Sequence, residues 1–395
     1  MTLNFKTNEQ EVIQKCNIYL KEFINEEVIV LNDTRLVIIP SVLPYIEFVW
    51  SYDQRVLPIL KNTHLVIAKT FYDEIWEYFQ NLWLSQNVHI HAFENIYTKT
   101  LTQILCENDE YIEELKKLNA KKLLPFFVND DGEKLAQKLW LQLIVNKEIF
   151  SLANDKLKLK QFLQKNNLPT IDGVYSNDPY IISQYFQKKK RYLFKDPLGV
   201  SGYGFWDNTE NTLDELLQNY NNKELIIEEF IQKESSPSIQ FFIPENKKEP
   251  IIFWMTDQIL ENGKIYLGNK SPSIYLKTSI WDELIIQSEK IIEYIQKLWY
   301  IWFGWIDFII SSNHKVFATE VNARFTWATY PAITMLFLKN SLKSEWEYTT
   351  IQWEKQSICD YLKNNSIQSK TESGIFPLCI APLEKWGKAQ ILKIK

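Results

Sequence analysis

Hydrophobic and polar positions follow two different periods along this chain. Over residues 8–26 the apolar residues Val12, Ile13, Cys16, Tyr19, Leu20 and Phe23 recur three or four apart, the spacing of one helix face. Short apolar runs follow at "RLVIIPS" (35–41), "HLVIAKT" (64–70) and "VHIHAF" (88–93), with helical patterns between them. Strand and helix in alternation predict a doubly wound α/β layer with parallel pairing. No G-x-G-x-x-G follows the first strand, so the layer is not marked as a dinucleotide site. Helical segments continue to about residue 150.

A second unit opens at "NDKLKLKQFLQKNNLPT" (154–170), where Asn154 or Asp155 can cap a helix that Asn166-Asn167 ends and Pro169 keeps from resuming. "RYLFKDPLGVSGYGFW" (191–206) reads as a strand, a Gly-rich turn and a further extended piece. "TLDELLQNY" (212–220) is a helix with Thr212 and Glu215 placed as a capping box. Strands follow at "ELIIEEFI" (224–231), "SIQFFI" (238–243) and "PIIFWMTDQIL" (250–260), then a long helix over 282–299 with Leu284, Ile291, Ile295 and Leu298 on one side. The tail holds two further strand candidates, "IFPLCIA" and "AQILKI". No internal repeat or low-complexity linker is visible.

Composition narrows the picture. At 395 residues, two or three domains are expected, and 46% hydrophobic content rules against a disordered chain. The net charge of -5 and the lack of a basic stripe argue against nucleic acid; Lys188-Lys189-Lys190-Arg191 reads as a solvated rim. The four cysteines are far apart and form no C-x-x-C, so neither a disulfide framework nor a zinc ribbon is indicated. His89 and His91 share a strand face, but with no third ligand nearby in sequence they read as ordinary strand histidines. The polar N-terminus lacks the form of a signal peptide, and no stretch is suited to span a bilayer, so a cytoplasmic location is expected.

The chemistry concentrates in "WIDFIISSNHKVFATEVNARFT" (305–326). Asn313 and His314 tolerate positive φ and suit a two-residue hairpin loop. That loop sets Asp307 directly opposite Glu320, with Asn322 and Arg324 continuing the same face, and sends Phe308, Ile310, Phe317, Thr319 and Val321 to the other. Two carboxylates so close take up a proton or a cation. With the amide oxygen of Asn322 they make a hard-oxygen set suited to Mg²⁺ or Mn²⁺. Arg324 is placed to hold a phosphate or carboxylate bidentately. Upstream, "KDPLGVSGYG" sets Lys195 at a strand end before Gly199, Gly202 and Gly204, an arrangement able to close backbone N–H groups on phosphate, although it is not a Walker A sequence. "IIEEFI" ends in Glu228-Glu229, of which one can point inward.

In this order, the lysine helix, strand-Lys-Gly loop, strand-Glu-Glu, long helix and D…E-x-N-x-R hairpin resemble the ATP-grasp superfamily, over roughly residues 150–340. The resemblance implies an ATP-grasp fold, two α+β lobes clamping ATP. A Rossmann-like domain (1–150) would precede an ATP-grasp domain (151–345, small lobe about 170–232), with a C-terminal segment (346–395) packing on it. It implies that Lys156 and Lys195 contact phosphates, and that Ser201, Gly202 and Gly204 belong to a loop closing over them. Glu228, Glu229, Phe230 and Ile231 would form the adenine hinge. Asp307, Glu320 and Asn322 would hold magnesium or manganese, and Arg324, with Lys195, would serve the chemistry. An acid for the ribose is expected just after the hinge, where Glu234 is nearest. Trp305 stands where the D-alanine ligase branch carries an arginine, a duty that passes to Arg324. "ESSPSIQ", "TDQIL" and "YLGNKSP" look most like the pheganomycin-type peptide ligases. The implied activity is ATP-dependent joining of a carboxylate to an amine on an amino acid or peptide, through an acyl phosphate. The alternatives are an ATP-grasp kinase or an ATP-binding protein without turnover. Small molecules are the implied partners, and a homodimer is allowed.

Overall fold

Helix α1 (Glu9–Phe23) forms where the helical stripe predicts it and buries all six stripe residues. The computed structural model describes residues 9–37, 47–68, 72–94, 99–199, 204–220, 222–245, 248–261 and 265–395. After α1 come β1 (Val28–Leu31), β2 (Thr63–Ala68), α2 (Asp73–Asn81), β3 (Val88–Phe93), α3 (Leu101–Glu107), α4 (Asp109–Lys116), β4 (Lys122–Pro125), α5 (Asp130–Leu139) and β5 (Gln142–Leu143). The strands form a parallel sheet in the order β3-β2-β1-β4-β5. Its central strand is not the expected 35–41 run. The four fully buried residues Val28 to Leu31 take that place, and Thr34–Val37 is a 3-10 turn. The rest of that run lies outside the described residues. Arg35 sits deep in the domain, its Nε 2.7 Å from Asp33 Oδ1. A third histidine also joins the H-x-H pair: His64 pairs with His89 across β2 and β3, and its Nδ1 lies 3.2 Å from His91 Nε2.

The next stretch holds α6 (Lys147–Asn154), α7 (Lys156–Lys165), β6 (Gly173–Ser176), α8 (Pro179–Phe186), β7 (Tyr192–Lys195), β8 (Phe205–Asp207), α9 (Leu213–Asn219) and β9 (Leu225–Glu229). Its four strands pair antiparallel in the order β6-β9-β7-β8. Thr212 and Glu215 form the expected capping box on α9. This small lobe has its own core, built on Ile182, Phe194, Leu216, Leu225 and Ile227.

The remaining elements are β10 (Lys233–Ser235), β11 (Pro237–Ile243), β12 (Ile251–Glu261), β13 (Ile265–Ser271), α10 (Ser279–Lys297), β14 (Trp302–Ser311), β15 (Val316–Asn322), α11 (Thr329–Lys339), β16 (Trp346–Gln352), α12 (Ile358–Asn365), β17 (Gly374–Cys379), α13 (Leu383–Trp386) and β18 (Lys388–Ile394). They make one antiparallel sheet in the order β10-β14-β11-β12-β13-β16-β18-β17, with β15 paired to β14. The strands beyond residue 345 therefore extend this sheet. Its core is shared with the N-terminal domain: Phe23 of α1 packs on Phe242 and Trp302, with ring centroids 5.3 and 5.0 Å away. Arg55 reaches across the same boundary, its guanidinium 3.6 Å from the centre of the Trp327 ring. Among the described residues no helix is long and apolar enough to cross a membrane.

β14 carries the central acid Asp307, and Gly304 sets how closely it lies against β11. A Cβ at Gly304 would stand 2.3 Å from the ring of its cross-strand partner Phe241, which is fully buried. Gly304→Ala should therefore lose about 1–3 kcal/mol through overpacking. Urea unfolding checks this, and an unchanged midpoint would show that the ring gives way freely.

Candidate functional site

Asp307 does stand opposite Glu320, and Trp305 opposite Asn322. The route to that register differs from the expected one. The tip is a three-residue loop: Ser311 N–H donates to Lys315 C=O at 3.0 Å, and His314 takes the left-handed conformation with φ 59°. That changes the register by one residue near the tip, where Phe308 pairs with Ala318 and Ile309 with Phe317. A bulge at Thr319 then takes up the extra residue and restores the expected pairing at Asp307. Thr319 Oγ1 donates to Asp307 C=O at 3.1 Å and pins the bulge. One expectation fails as a result. Phe317, as the partner of Ile309, lies on the Asp307 side of the ladder and not with Phe308.

The acids are unequally enclosed: the Glu320 side chain keeps 30% of its surface exposed. Asp307 is 6% exposed. Burial and the facing Glu320 carboxylate push its pKa well above the ordinary 3.8. Burial also opposes the Glu320 charge, yet Lys156, the Asp307 carboxyl and Asn322 hold Glu320 down to about 2. Of the two, Asp307 is the carboxyl whose ionisation is opposed. Lys156, the first residue of α7, sets Nζ 2.9 Å from Glu320 Oε2 and donates to Gly199 C=O at 2.5 Å. Its placement follows from Asp155, which caps α7 by accepting from Leu157 and Lys158 N–H.

Asn322 turns its amide nitrogen, not its oxygen, to the acids: Nδ2 donates to Asp307 Oδ2 and Glu320 Oε1, both at 3.1 Å. Its Oδ1 accepts from Arg324 Nη2 at 2.6 Å. The amide would have to turn over before its oxygen could meet a cation. The two carboxylates do fit Mg²⁺ or Mn²⁺: they are hard oxygen donors on one rung, and one of them is driven to bind a proton. Among the described residues no group of three His, Cys, Asp or Glu side chains is arranged to hold a metal ion, so further ligands of a cation here would be Asn322 or oxygens from outside the chain.

On the small lobe, Lys195 closes β7 and Gly204 begins the return strand. Gly204 has φ +73° and its C=O accepts from Asp196 N–H at 2.7 Å; a Cβ there would stand 2.8 Å from Asp196 Cβ, so the turn requires glycine. Ser201 and Gly202 lie outside the described residues. Lys195 Nζ is 2.6 Å from Glu228 Oε2, and Lys160 Nζ is 2.6 Å from Glu228 Oε1. Glu228 is therefore clamped between two lysines and does not line an adenine hinge with its side chain. Burial opposes its charge, but the lysines keep its pKa below the ordinary 4.5. Lys156, Lys160, Lys195, Ile226, Glu228 and Thr319 line one cavity between the lobes. The residues expected to form the hinge have outer partners: Glu229 pairs with Lys190, and Phe230 lies under the Arg191 guanidinium, 3.9 Å from its ring centre. Ile231 follows, half-buried.

Glu234 is not brought in. It is exposed and faces His314 Nδ1 at 3.2 Å, beside the hairpin tip. Its neighbour Lys233 has the inward place: it is half-buried, in the field of Asp307 and Lys195, and burial lowers its pKa. Strand alternation at 233–235 carried that signal. Gln258, whose Nε2 donates to Asp307 Oδ1 at 2.8 Å, and Asn154, which meets Arg324, had no local signal in the sequence.

Residues 153–328 match the family model described as an ATP-grasp domain. No curated protein matches the chain. Among solved structures it is similar to N5-carboxyaminoimidazole synthetase from Staphylococcus aureus, with TM-score 0.59 and 13% identity over 94% of this chain and 95% of that one. It is also similar to the biotin carboxylase–β-γ-ATP complex from Campylobacter jejuni, with TM-score 0.58 and 14% identity over 93% and 87%. N5-carboxyaminoimidazole ribonucleotide synthetase from Thermus thermophilus gives 0.57 and 12% over 93% of each chain. The fold is the ATP-grasp fold, preceded by a Rossmann-like parallel sheet.

The Glu228 clamp makes a testable point. Glu228→Gln leaves two enclosed lysines facing a neutral amide, and should cost about 3–5 kcal/mol in urea unfolding at neutral pH. Because the folded pKa is depressed, this contribution is present above the ordinary 4.5 and is lost as pH falls through the folded value. The gap between wild type and variant should narrow on acidification below that range; a gap that stays constant would remove Glu228 as the counter-charge.

Proposed function

We propose that this protein is an ATP-dependent carboxylate–amine ligase that joins an amino acid or peptide and releases ADP and phosphate. The observation that carries the reading is the convergence of Asp307, Glu320, Asn322 and Arg324 on one sheet face, with Lys156 and Lys195 arriving from α7 and the small lobe. Its finer parts, the acyl phosphate and the amino acid or peptide class, rest on the D…E-x-N-x-R pattern and the resemblance it carries.

In this reading a substrate carboxylate oxygen attacks the γ-phosphorus of ATP, ADP leaves, and the amine then attacks the acyl carbon and expels phosphate. The chain has no need of a covalent nucleophile, because such transfer relies on positioning and charge neutralisation. Lys156 exchanges Glu320 and Gly199 for phosphate oxygens, and Lys195 exchanges Glu228 for them while Lys160 remains on Glu228. The Ser201–Gly202–Gly204 loop shields the triphosphate from water. The backbone at Glu228 to Ile231 meets the adenine. Asp307 and Glu320, with Asn322 once its amide turns, would hold magnesium or manganese, which neutralises charge on the phosphates when bound. Arg324 steadies the acyl phosphate. The expected setting is the cytoplasm, acting on small molecules, as a single chain or a homodimer.

Asp307→Ala and Glu320→Ala should each abolish ADP release against a panel of amino acids while circular dichroism stays as in the wild type. Near-normal turnover by either purified variant would sink the assignment. Mass spectrometry separates a ligase product, an amide formed with net loss of water, from a phosphorylated kinase product. Lys195→Ala should weaken ATP binding in calorimetry, and an unchanged affinity would remove Lys195 from the phosphate site.

A further inference from the structure

Arg324 is held from two sides. Nη2 donates to Asn322 Oδ1 at 2.6 Å, and Nη1 donates to Asn154 Oδ1 at 2.8 Å. Asn154 is the last residue of α6, some 170 positions away in sequence. Its Oδ1 also accepts from Ala323 N–H at 2.9 Å, and its Nδ2 donates to Phe150 C=O at 2.7 Å. These partners settle which way the amide points: the reverse orientation would aim its N–H groups at a guanidinium and a backbone N–H, and its oxygen at a carbonyl. Since Asp155 caps α7, Asn154 has no capping duty there.

We propose that Asn154 is the positioning residue for Arg324. Its oxygen fixes both the backbone at Ala323 and one arm of the guanidinium, so Arg324 enters the site with rotation about its terminal bonds restrained and its remaining N–H groups aimed. The Asn154 side chain makes no hydrogen bond to Asp307, Glu320 or a lysine among the described residues, so it acts on the site through Ala323 and Arg324. The assignment of a turnover effect rests on the ligase reading above; the positioning itself does not.

The chain contains only four arginines, 35, 55, 191 and 324, so ¹⁵N-arginine labelling yields four guanidinium signal sets, and Arg324→Lys identifies the one of interest. In the wild type the Arg324 Nη signals should be separate, slowed by the two acceptors. Asn154→Ala should average them, and Asn154→Asp, which keeps an acceptor oxygen, should restore the separation. Signals averaged already in the wild type, or unchanged in Asn154→Ala, would overturn the proposal. In turnover, Asn154→Ala should lower kcat about 10–100-fold, as loss of an orienting partner does. It should leave KM for ATP where it was, with Asn154→Asp recovering most of the rate. Equal damage in Ala and Asp variants would mean a packing role instead. If the wild type releases no ADP at all, the ligase reading falls, and the labelling experiment still decides the role of Asn154.

Discussion

Two carboxylates face one another across a single rung of a β-ladder, one of them buried and the other half-buried, and they cannot both stay ionised there without positive charge. Much of the surrounding architecture answers that condition. The start of α7 delivers Lys156 to Glu320, Asn322 donates to both acids, and Gln258 reaches Asp307 from a strand two places away in the sheet. Arg324 follows on the same face. The large sheet shares its core with the N-terminal domain, so this acidic face rests on the best-anchored part of the molecule. The small lobe brings Lys195 on a core of its own, and a shift of that lobe against the rest would break neither core.

The sequence made the type of most elements legible, because their periods are local properties. It also made legible the set Asp307, Glu320, Asn322 and Arg324, because strand alternation places them together. It fell short where long-range contact decides. Val28 to Leu31 form a central strand because both sheet faces are covered, and four apolar residues in a row have no period to read. His64 completes a trio only through parallel pairing. Lys160, Asn154 and Gln258 owe their importance to partners between 49 and 170 residues away. Glu234 is the nearest acid in sequence, while pleating gives the inward place to Lys233.

Arginine usage supports the same view of the site. Of 44 basic residues only four are arginine. In a chain so inclined to lysine, each arginine stands where a planar fork does what a point charge cannot. Arg35 meets buried carboxylates of the N-terminal domain, and Arg55 stacks on Trp327. Arg191 grips Asp207 while its face covers Phe230. Arg324 is divided between two amide oxygens.

The hairpin from Trp302 to Asn322 holds its acids in register across two offsets of opposite sign, a three-residue tip and a bulge at Thr319. This gives the segment an unusual tolerance of length change during divergence. Losing one tip residue leaves Ser311 facing Lys315 across a two-residue loop, and losing Thr319 sets the Asp307–Glu320 rung directly after Phe308–Ala318, so neither change alone separates the acids. Both changes together keep the same pairing on a shorter hairpin. Relatives of this chain can therefore differ here by one residue at either of two places, or at both, while keeping the same two acids on one rung.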